Sequence, residues 1–178
     1  MDSNWQSPKN SNLLIILKPI TAQNASIFRA ARLRALQDTP LAFGSTYAKE
    51  SLLTDADWVQ RAAQWNGEKK VLYLAMDCDS ACGIGGSSLD EEDATRAHVI
   101  SMWTAPSHRQ QGIGRMLVNE ILGWARVRGA RTLQLMVTSS NEPAIAFYQR
   151  LEFMLTGRTE PYPNDPALIE YEMSRPIN

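Results

Sequence analysis

The most constraining feature of this sequence is a strand–helix–strand block in the middle of the chain. Two apolar stretches with the character of β-strands, RAHVISMWT (96–104) and TLQLMVTSS (132–140), flank a helical pattern at 112–128. Apolar residues recur at every fourth position of that pattern from Ile113 to Ala125, as in a helix with one buried face. A strand, a helix and a second strand in that order predict a right-handed crossover between parallel strands.

The rest of the sequence predicts antiparallel strands and further helices around this parallel pair. Strands are expected at 13–20, 70–77, 81–89, 153–162 and 167–175, and helices at 22–38, 54–65 and 142–151. Residues 40–51 are expected to be a loop or an irregular helix, and 161–166 a Pro-rich loop. Thr54 and Asp57 have the spacing of a capping box, and GIGG at 83–86 indicates a hairpin or a bulge. The fold class is therefore α+β with a mixed sheet.

Length and composition fit one globular domain. The chain has 178 residues, of which 44% are hydrophobic and 21% charged, and we expect one domain at 13–178 after a flexible polar segment, 1–12. The apolar run LLIIL at 13–17 is too short for a membrane span and wrongly flanked for a signal peptide, so a cytoplasmic protein is expected. A net charge of −1 argues against nucleic acid as the main partner.

The cysteine and histidine content does not favour a metal site. A structural zinc site needs about four ligands. The two cysteines, Cys78 and Cys82, are distant in sequence from both histidines, His98 and His108. We interpret the cysteines as reduced thiols at neighbouring strand ends and expect no metal.

A loop with two glycines, RQQGIGRML (109–117), leads into the helix of the central block. The first turn of a helix has N–H groups without intrahelical partners and the positive end of the helix dipole, so it attracts phosphate. Gly112 and Gly114 would let a phosphate approach this backbone, although two glycines can also begin a helix for structural reasons alone. The loop lacks the Gly-Lys-Ser/Thr end of a Walker A motif, and Leu117 stands where a dinucleotide fingerprint needs glycine. A phosphorylated ligand other than a nucleoside triphosphate or NAD is predicted.

Two separated motifs together resemble the GCN5-related N-acetyltransferase (GNAT) superfamily, in its small bacterial form. The first is SMWTAPSHRQQGIGRMLVNEIL (101–122) and the second is VTSSNEPAIAFYQRLEF (137–153). The resemblance extends from about residue 13 to about residue 175. It implies a strongly twisted mixed sheet of six or seven strands with about four helices, in which the two central parallel strands splay apart to hold coenzyme A.

The resemblance also implies which residues bind acetyl-CoA, the co-substrate of this family. Contacts are expected from the end of the first central strand, the glycine loop and the second motif: Met102, Trp103, Thr104, Arg109, Gln110, Gln111, Gly112, Ile113, Gly114, Arg115, Asn141, Ala144, Phe147 and Tyr148. The amides of 110–115 would hold the pyrophosphate, and the backbone near Trp103 would pair with the pantetheine.

The implied reaction is transfer of an acetyl group to a primary amine by direct attack, without a covalent enzyme intermediate. Because such an amine has a pKa near ~10.4, a proton must be removed before attack. Tyr148 is expected to protonate the leaving thiolate, and the N–H of Thr104 or of a neighbour to bind the oxyanion. His98 is a candidate base, acting directly or through water, with Glu50 and Glu170 as further candidates on loose family analogy. Three alternatives stay open. Tyr148 could be a core aromatic residue, His98 could be structural, and ordered water alone could remove the proton.

The acceptor site is expected between the early helices and the late loop. Candidate contacts are Phe43, Tyr47, Glu50 and Trp103, together with 159–166. The acceptor, a small-molecule amine or a protein N-terminus or lysine, carries no recognisable signature. A catalytically inactive domain that binds or senses acyl-CoA is the alternative, and a homodimer is left open.

Overall fold

The computed structural model describes residues 14–65 and 69–178, and the predicted flexible segment 1–12 lies outside the described residues. The strands are β1 (Ile15–Pro19), β2 (Lys70–Asp77), β3 (Ser80–Leu89), β4 (Arg96–Thr104), β5 (Thr132–Thr138), β6 (Met154–Tyr162) and β7 (Asp165–Pro176). They form one seven-stranded sheet in the order β1-β2-β3-β4-β5-β7-β6. Every neighbouring pair is antiparallel except β4 and β5, which are parallel as predicted.

The helices are α1 (Ala25–Asp38), α2 (Tyr47–Glu50), α3 (Asp55–Gln64), α4 (Ile113–Val127) and α5 (Glu142–Gln149). The predicted capping box begins α3: Asp57 N–H donates to Thr54 Oγ1 at 3.2 Å, and Thr54 N–H donates to Asp57 Oδ2 at 2.8 Å. The predicted apolar face of α4 is buried, and this helix packs against β3 and β4. Among the described residues, no helix is long and apolar enough to cross a membrane.

One expectation about the connections is wrong. The predicted loop 161–166 is a tight hairpin in which Tyr162 pairs with Asp165, so Pro161 and Pro166 lie inside strands. Both prolines are tolerated because β6 is an edge strand, and β7 extends beyond its pairing with β5 at Pro166. Residues 40–51 contain the short helix α2, which agrees with the irregular helix that was one of the two possibilities predicted there, and the described part of the chain has five α-helices.

The central parallel strands diverge toward their C-terminal ends. Pairing between β4 and β5 covers three residue pairs and stops at His98 opposite Gln134. Strand β5 instead continues its pairing with β7 to Thr138 opposite Glu170. A gap therefore opens between β4 and β5, which confirms the splayed arrangement that the family resemblance implies.

A β-bulge interrupts β4 at the mouth of this gap. Ile100 pairs with Gly86 and Trp103 pairs with Ile84, so Ser101 and Met102 together oppose Gly85. Neither bulge residue has a pairing partner in β5, and Ser101 has a positive φ of 56°. The GIGG segment thus forms a bulge with β4, one of the two predicted possibilities. A Cβ at position 85 would collide with the sulfur of Met102, so a larger residue there would displace the Met102 side chain.

The two cysteines lie near the turn between β2 and β3, and both are free thiols, as predicted. Cys78 is exposed, whereas Cys82 is buried and its thiol donates to Ala75 O at 3.3 Å.

Candidate functional site

A cleft of about 820 Å³ opens where β4 and β5 diverge. Its walls come from these two strands, from α5, from β7 and from the segment around α2. The predicted site residues that line it are Phe43, Glu50, His98, Met102, Asn141, Ala144 and Tyr148, and Glu170 lines it as well. The cleft therefore brings together predicted catalytic, coenzyme and acceptor residues from distant parts of the sequence.

The start of α4 presents backbone N–H groups without intrahelical acceptors. Its first internal bond runs from Met116 N–H to Gly112 O at 3.0 Å, so the amides of 113–115 remain available. Gly112 is the N-cap with a φ of 83°, and Gln110 has a φ of 64°. A Cβ at position 112 would meet nothing within 4 Å, so the backbone conformation, and not a lack of space, calls for glycine here.

Gly114 is small for a different reason. A Cβ at this position would lie 2.9 Å from Cζ and 3.2 Å from Cε2 of Phe147. The Phe147 ring in turn meets the Tyr148 ring edge-on, with 5.1 Å between the ring centroids. Gly114 thus permits the close packing of α5 on the first turn of α4, a role that the sequence pattern of the loop did not indicate.

Tyr148 is buried between two aromatic rings and lines the cleft. Its ring packs edge-on against Phe147 and against Phe153, the latter at a centroid distance of 5.5 Å. Burial raises the pKa of the Tyr148 phenol above its usual range, so it stays protonated at neutral pH, as a proton donor must. Asn141 caps the same helix, because its Oδ1 accepts from Ala144 N–H at 3.2 Å.

Three predicted coenzyme residues lie in a network beside the cleft rather than in its wall. Asp38 Oδ2 accepts from Trp103 Nε1 at 2.8 Å and pairs with the guanidinium of Arg109. Arg109 Nε donates to Thr104 O at 3.1 Å, and Thr104 pairs with Gly83 in β3. The charge of Arg109 is therefore compensated by Asp38, and Trp103 is buried away from the predicted acceptor site.

Of the other predicted residues outside the cleft wall, Ile113 is buried on the apolar face of α4, whereas Gln110, Gln111, Arg115 and Tyr47 are exposed. Gln111 Nε2 donates to Ser107 O at 3.1 Å, which holds the side chain against its own loop. Arg115 is exposed in the first turn of α4, next to the available amides. Tyr47 is 40% exposed and does not line the cleft, so the structure does not bring it to the other acceptor residues.

A buried ion-pair cluster forms the wall of the cleft nearest α1, α2 and α3. Arg32 donates to both oxygens of Glu50, at 2.9 Å and 3.1 Å, and Arg61 approaches the same carboxylate at 3.3 Å. Burial by itself would raise the pKa of Glu50, but the hydrogen bond and charge of Arg32, with the charge of Arg61, hold that pKa below its usual value. Glu50 is therefore ionised and paired, which suits a structural anchor better than a base.

Arg32 connects this cluster to the bulge of β4. Its guanidinium lies 4.6 Å from the centre of the Phe43 ring, and its Nη1 lies 3.4 Å from Ser101 Oγ. Sequence reasoning missed both Arg32 and Arg61, because their shared partner Glu50 belongs to a third helix.

The loop between α1 and α2 is tied to the far side of the cleft by hydrogen bonds. The Tyr162 hydroxyl donates to Phe43 O at 2.7 Å, and Asn164 Nδ2 donates to the same oxygen at 3.0 Å. Thr138 Oγ1, at the end of β5, donates to Leu41 O at 2.7 Å. The β6–β7 turn and the α1–α2 loop therefore close one end of the cleft together.

His98 lies at the other end, where β4 and β5 still pair. Its Nε2 is 2.8 Å from Oδ2 of Asp90, in the acidic loop after β3. This hydrogen bond, assisted by backbone N–H groups of the loop, holds the pKa of Asp90 well below its usual range. One ring nitrogen of His98 is thus engaged by a carboxylate that sequence reasoning did not assign to the site.

Comparison with known proteins identifies the family. A sequence model of the Acetyltransferase (GNAT) family matches residues 33–153. The ribosomal protein bS18-alanine N-acetyltransferase of Salmonella typhimurium is 32% identical over 129 residues, which cover 68% of this chain and 82% of that protein. Streptothricin acetyltransferase of Streptomyces lavendulae is 49% identical over 62 residues, which cover 35% of this chain and 33% of that protein. The matched segment covers about a third of the length of the Streptomyces enzyme. The segment that matches an N-acetyltransferase of Methanocaldococcus jannaschii also covers about a third of that protein.

The solved structures agree on the fold. An acetyltransferase from Salmonella typhimurium, solved with its cofactor acetyl-CoA, has a TM-score of 0.74 at 13% identity, and the alignment covers 92% of this chain and 94% of that chain. The family model covers well over half of this chain, and the bS18-alanine enzyme is matched along most of its length. The chain therefore belongs to the GNAT family of acetyltransferases.

Proposed function

We propose that this protein is an acetyl-CoA-dependent N-acetyltransferase that transfers the acetyl group to a primary amine by direct attack. One observation carries the proposal: the bulge of β4, which has no partner in β5, lines the same cleft as the buried side chain of Tyr148. The bulge offers amide donors for a developing oxyanion, and the phenol offers a proton for the leaving group. Direct attack needs no protein nucleophile, and no cysteine lines the described cleft.

The residues present fit acetyl-CoA. The amides of 113–115 lack intrahelical acceptors and lie at the positive end of α4, which suits a pyrophosphate, and Arg115 adds positive charge nearby. The cleft falls within the range of small-molecule and cofactor sites, roughly 300–1,000 Å³. When bound, acetyl-CoA supplies an acetyl group activated as a thioester.

Two groups of the chain then have definite tasks, and the group that removes the proton of the amine is a separate question. We assign the oxyanion donor to the bulge amide of Met102, a neighbour of Thr104, because Thr104 itself is paired with Gly83. Tyr148 protonates the departing sulfur, since burial keeps its phenol protonated. His98 stays a candidate for proton removal through water, with Asp90 orienting its ring.

The related enzymes support an amine as the acceptor. One relative is named for acetylation of an alanine on a ribosomal protein and another for acetylation of streptothricin. We therefore keep two acceptor classes, a protein N-terminus and a small-molecule amine. Use of acetyl-CoA agrees with the cytoplasmic location that we expect.

The test is release of free thiol from acetyl-CoA in the presence of an amine panel. The panel contains polyamines, amino acids, streptothricin and peptides with an N-terminal alanine. We expect release with one class, lowered by about 100-fold or more in kcat by Tyr148→Phe. Tyr171→Phe is the matched control, because Tyr171 neighbours the cleft on β7 without lining it. Binding of acetyl-CoA without thiol release for any amine would favour a sensing domain and refute the proposal.

A further inference from the structure

Glu170 on β7 is level with the bulge of β4. The last parallel pair joins His98 to Gln134, and four residues further along these strands lie Met102 and Thr138. Thr138 pairs with Glu170, so Glu170 lies one strand beyond the gap, at about the level of Met102, and both residues line the cleft. His98 lies roughly 13 Å lower along the strand direction, at ~3.3 Å per residue. Glu170 therefore lies closer to the level of acetyl transfer than His98 does.

Glu170 also has a free carboxylate. It is partly buried, lines the cleft together with Tyr148, and makes no hydrogen bond or ion pair with the described part of the chain. The neighbouring carboxylates are engaged: Arg158 pairs with Glu160 and Glu172, and Thr156 Oγ1 donates to Glu172 at 2.8 Å. An unpaired carboxylate inside a cleft is available to a ligand.

A second carboxylate stands directly opposite. Glu160 on β6 pairs with Glu170 across the hairpin, and like charges in that position repel each other. Burial, and then the charge of Glu160, raise the pKa of Glu170 above its usual value. A base with a raised pKa removes a proton more effectively near neutral pH. Across the cleft, Arg32 and Arg61 are paired with Glu50, and His98 is engaged by Asp90. Lys49 also lines the cleft but makes no ion pair with Glu170, whose pKa is shifted by burial and by Glu160 alone.

We propose that Glu170 binds the ammonium group of the acceptor in the cleft and takes its proton, so that the amine attacks in its neutral form. The assignment rests on the proposed function. One proton passes from R–NH3+ to the Glu170 carboxylate and from there to solvent. The nitrogen lone pair forms the C–N bond, the C–S bond breaks, and the sulfur takes the proton of Tyr148. The new amide nitrogen returns its excess proton to the Tyr148 oxygen.

The test is the pH dependence of thiol release from acetyl-CoA, with n-butylamine as a minimal primary amine and with the best acceptor of the panel. Glu170→Gln should lower kcat/KM by about 100-fold or more and remove the acid limb of the profile. Glu160→Gln should keep activity but move the acid limb to lower pH, because Glu170 loses its negative neighbour. Glu152→Gln is the control, since Glu152 is exposed and pairs with Arg175 outside the cleft.

The outcomes separate this assignment from the function on which it rests. Wild-type activity with an unchanged rate and acid limb in Glu170→Gln overturns the assignment and leaves the proposed function standing. The same holds if Glu160→Gln leaves the acid limb in place. Absence of thiol release by the wild-type protein with every amine overturns both.

Discussion

Gly114 and Gly123 both lie on α4 but have different surroundings. Comparing alanine substitutions at the two positions tests how α5 packs on α4. Substitution of Gly114 by alanine places a Cβ 2.9 Å from Cζ of Phe147, which is well inside normal contact distance. Such overpacking costs about 1–3 kcal/mol. Gly123, on the same helix, has nothing within 4 Å of its ideal Cβ position. Alanine there should stabilise the protein by about 0.5–1 kcal/mol, because glycine is a poor helix former.

The two variants should therefore differ by about 1.5–4 kcal/mol in the free energy of unfolding. In a chain of this size, 1 kcal/mol shifts Tm by about 2–4 °C, so differential scanning calorimetry should separate the two variants by roughly 3–16 °C. Gly114→Ala should also lower kcat, because Phe147 packs against Tyr148 and a displaced ring moves the phenol. Equal stabilisation by both alanines would refute the packing role of Gly114. Its predicted role in the phosphate loop would then be the only one left.

Three further predictions concern the coenzyme loop, the ion-pair cluster and His98. Gly112→Glu should abolish acetyl-CoA binding in a calorimetric titration while the fold is kept. The reason is that the new side chain places a negative charge beside the free amides of α4. Unchanged affinity would show that this loop does not bind the coenzyme. Glu50→Gln should cost about 2–4 kcal/mol in urea unfolding at neutral pH, because it leaves the cationic side chains of Arg32 and Arg61 without their carboxylate. Since the pKa of Glu50 is lowered in the folded state, its stabilisation is complete above the ordinary glutamate pKa of 4.5 and is lost as the pH falls through the lower pKa of the folded state. The stability gap between wild type and Glu50→Gln should therefore narrow in acid, and a gap that does not depend on pH would contradict the pairing. His98→Ala should raise the pKa of Asp90 toward its ordinary value in an NMR titration. The acid limb of the pH–rate profile should stay in place. Loss of that limb would show that His98 is the base.

The central block of the fold was predictable because its signals are local. The apolar face of α4 and the β-like stretches on either side predicted the parallel pair, and the capping box marked the start of α3. The connection that was predicted wrongly, 161–166, has a weak local signal. Pro161 and Pro166 suggest a loop by composition, yet the edge position of β6 and the unpaired end of β7 let both residues lie in strands.

The residues of the site that were missed depend on contacts between distant segments. Asp38 meets Trp103 across 65 positions of sequence, and Arg32 meets Glu50 across 18. Neither pairing leaves a periodic pattern that can be recognised before the fold is known. The packing role of Gly114 likewise needs the position of α5. The motif residues of the coenzyme loop and Tyr148 could be predicted because their order along the chain resembles a family pattern.

The most direct test of the central claim is to follow the acetyl group itself. The protein is mixed with acetyl-CoA that carries an isotopic label in the acetyl group, with and without the best acceptor, and intact protein and small molecules are weighed by mass spectrometry. The account predicts that the label stays on coenzyme A without acceptor and appears on the amine nitrogen, together with free thiol, when acceptor is added. Label bound covalently to the protein during turnover would contradict direct attack, and label that never leaves coenzyme A would contradict an acetyltransferase activity.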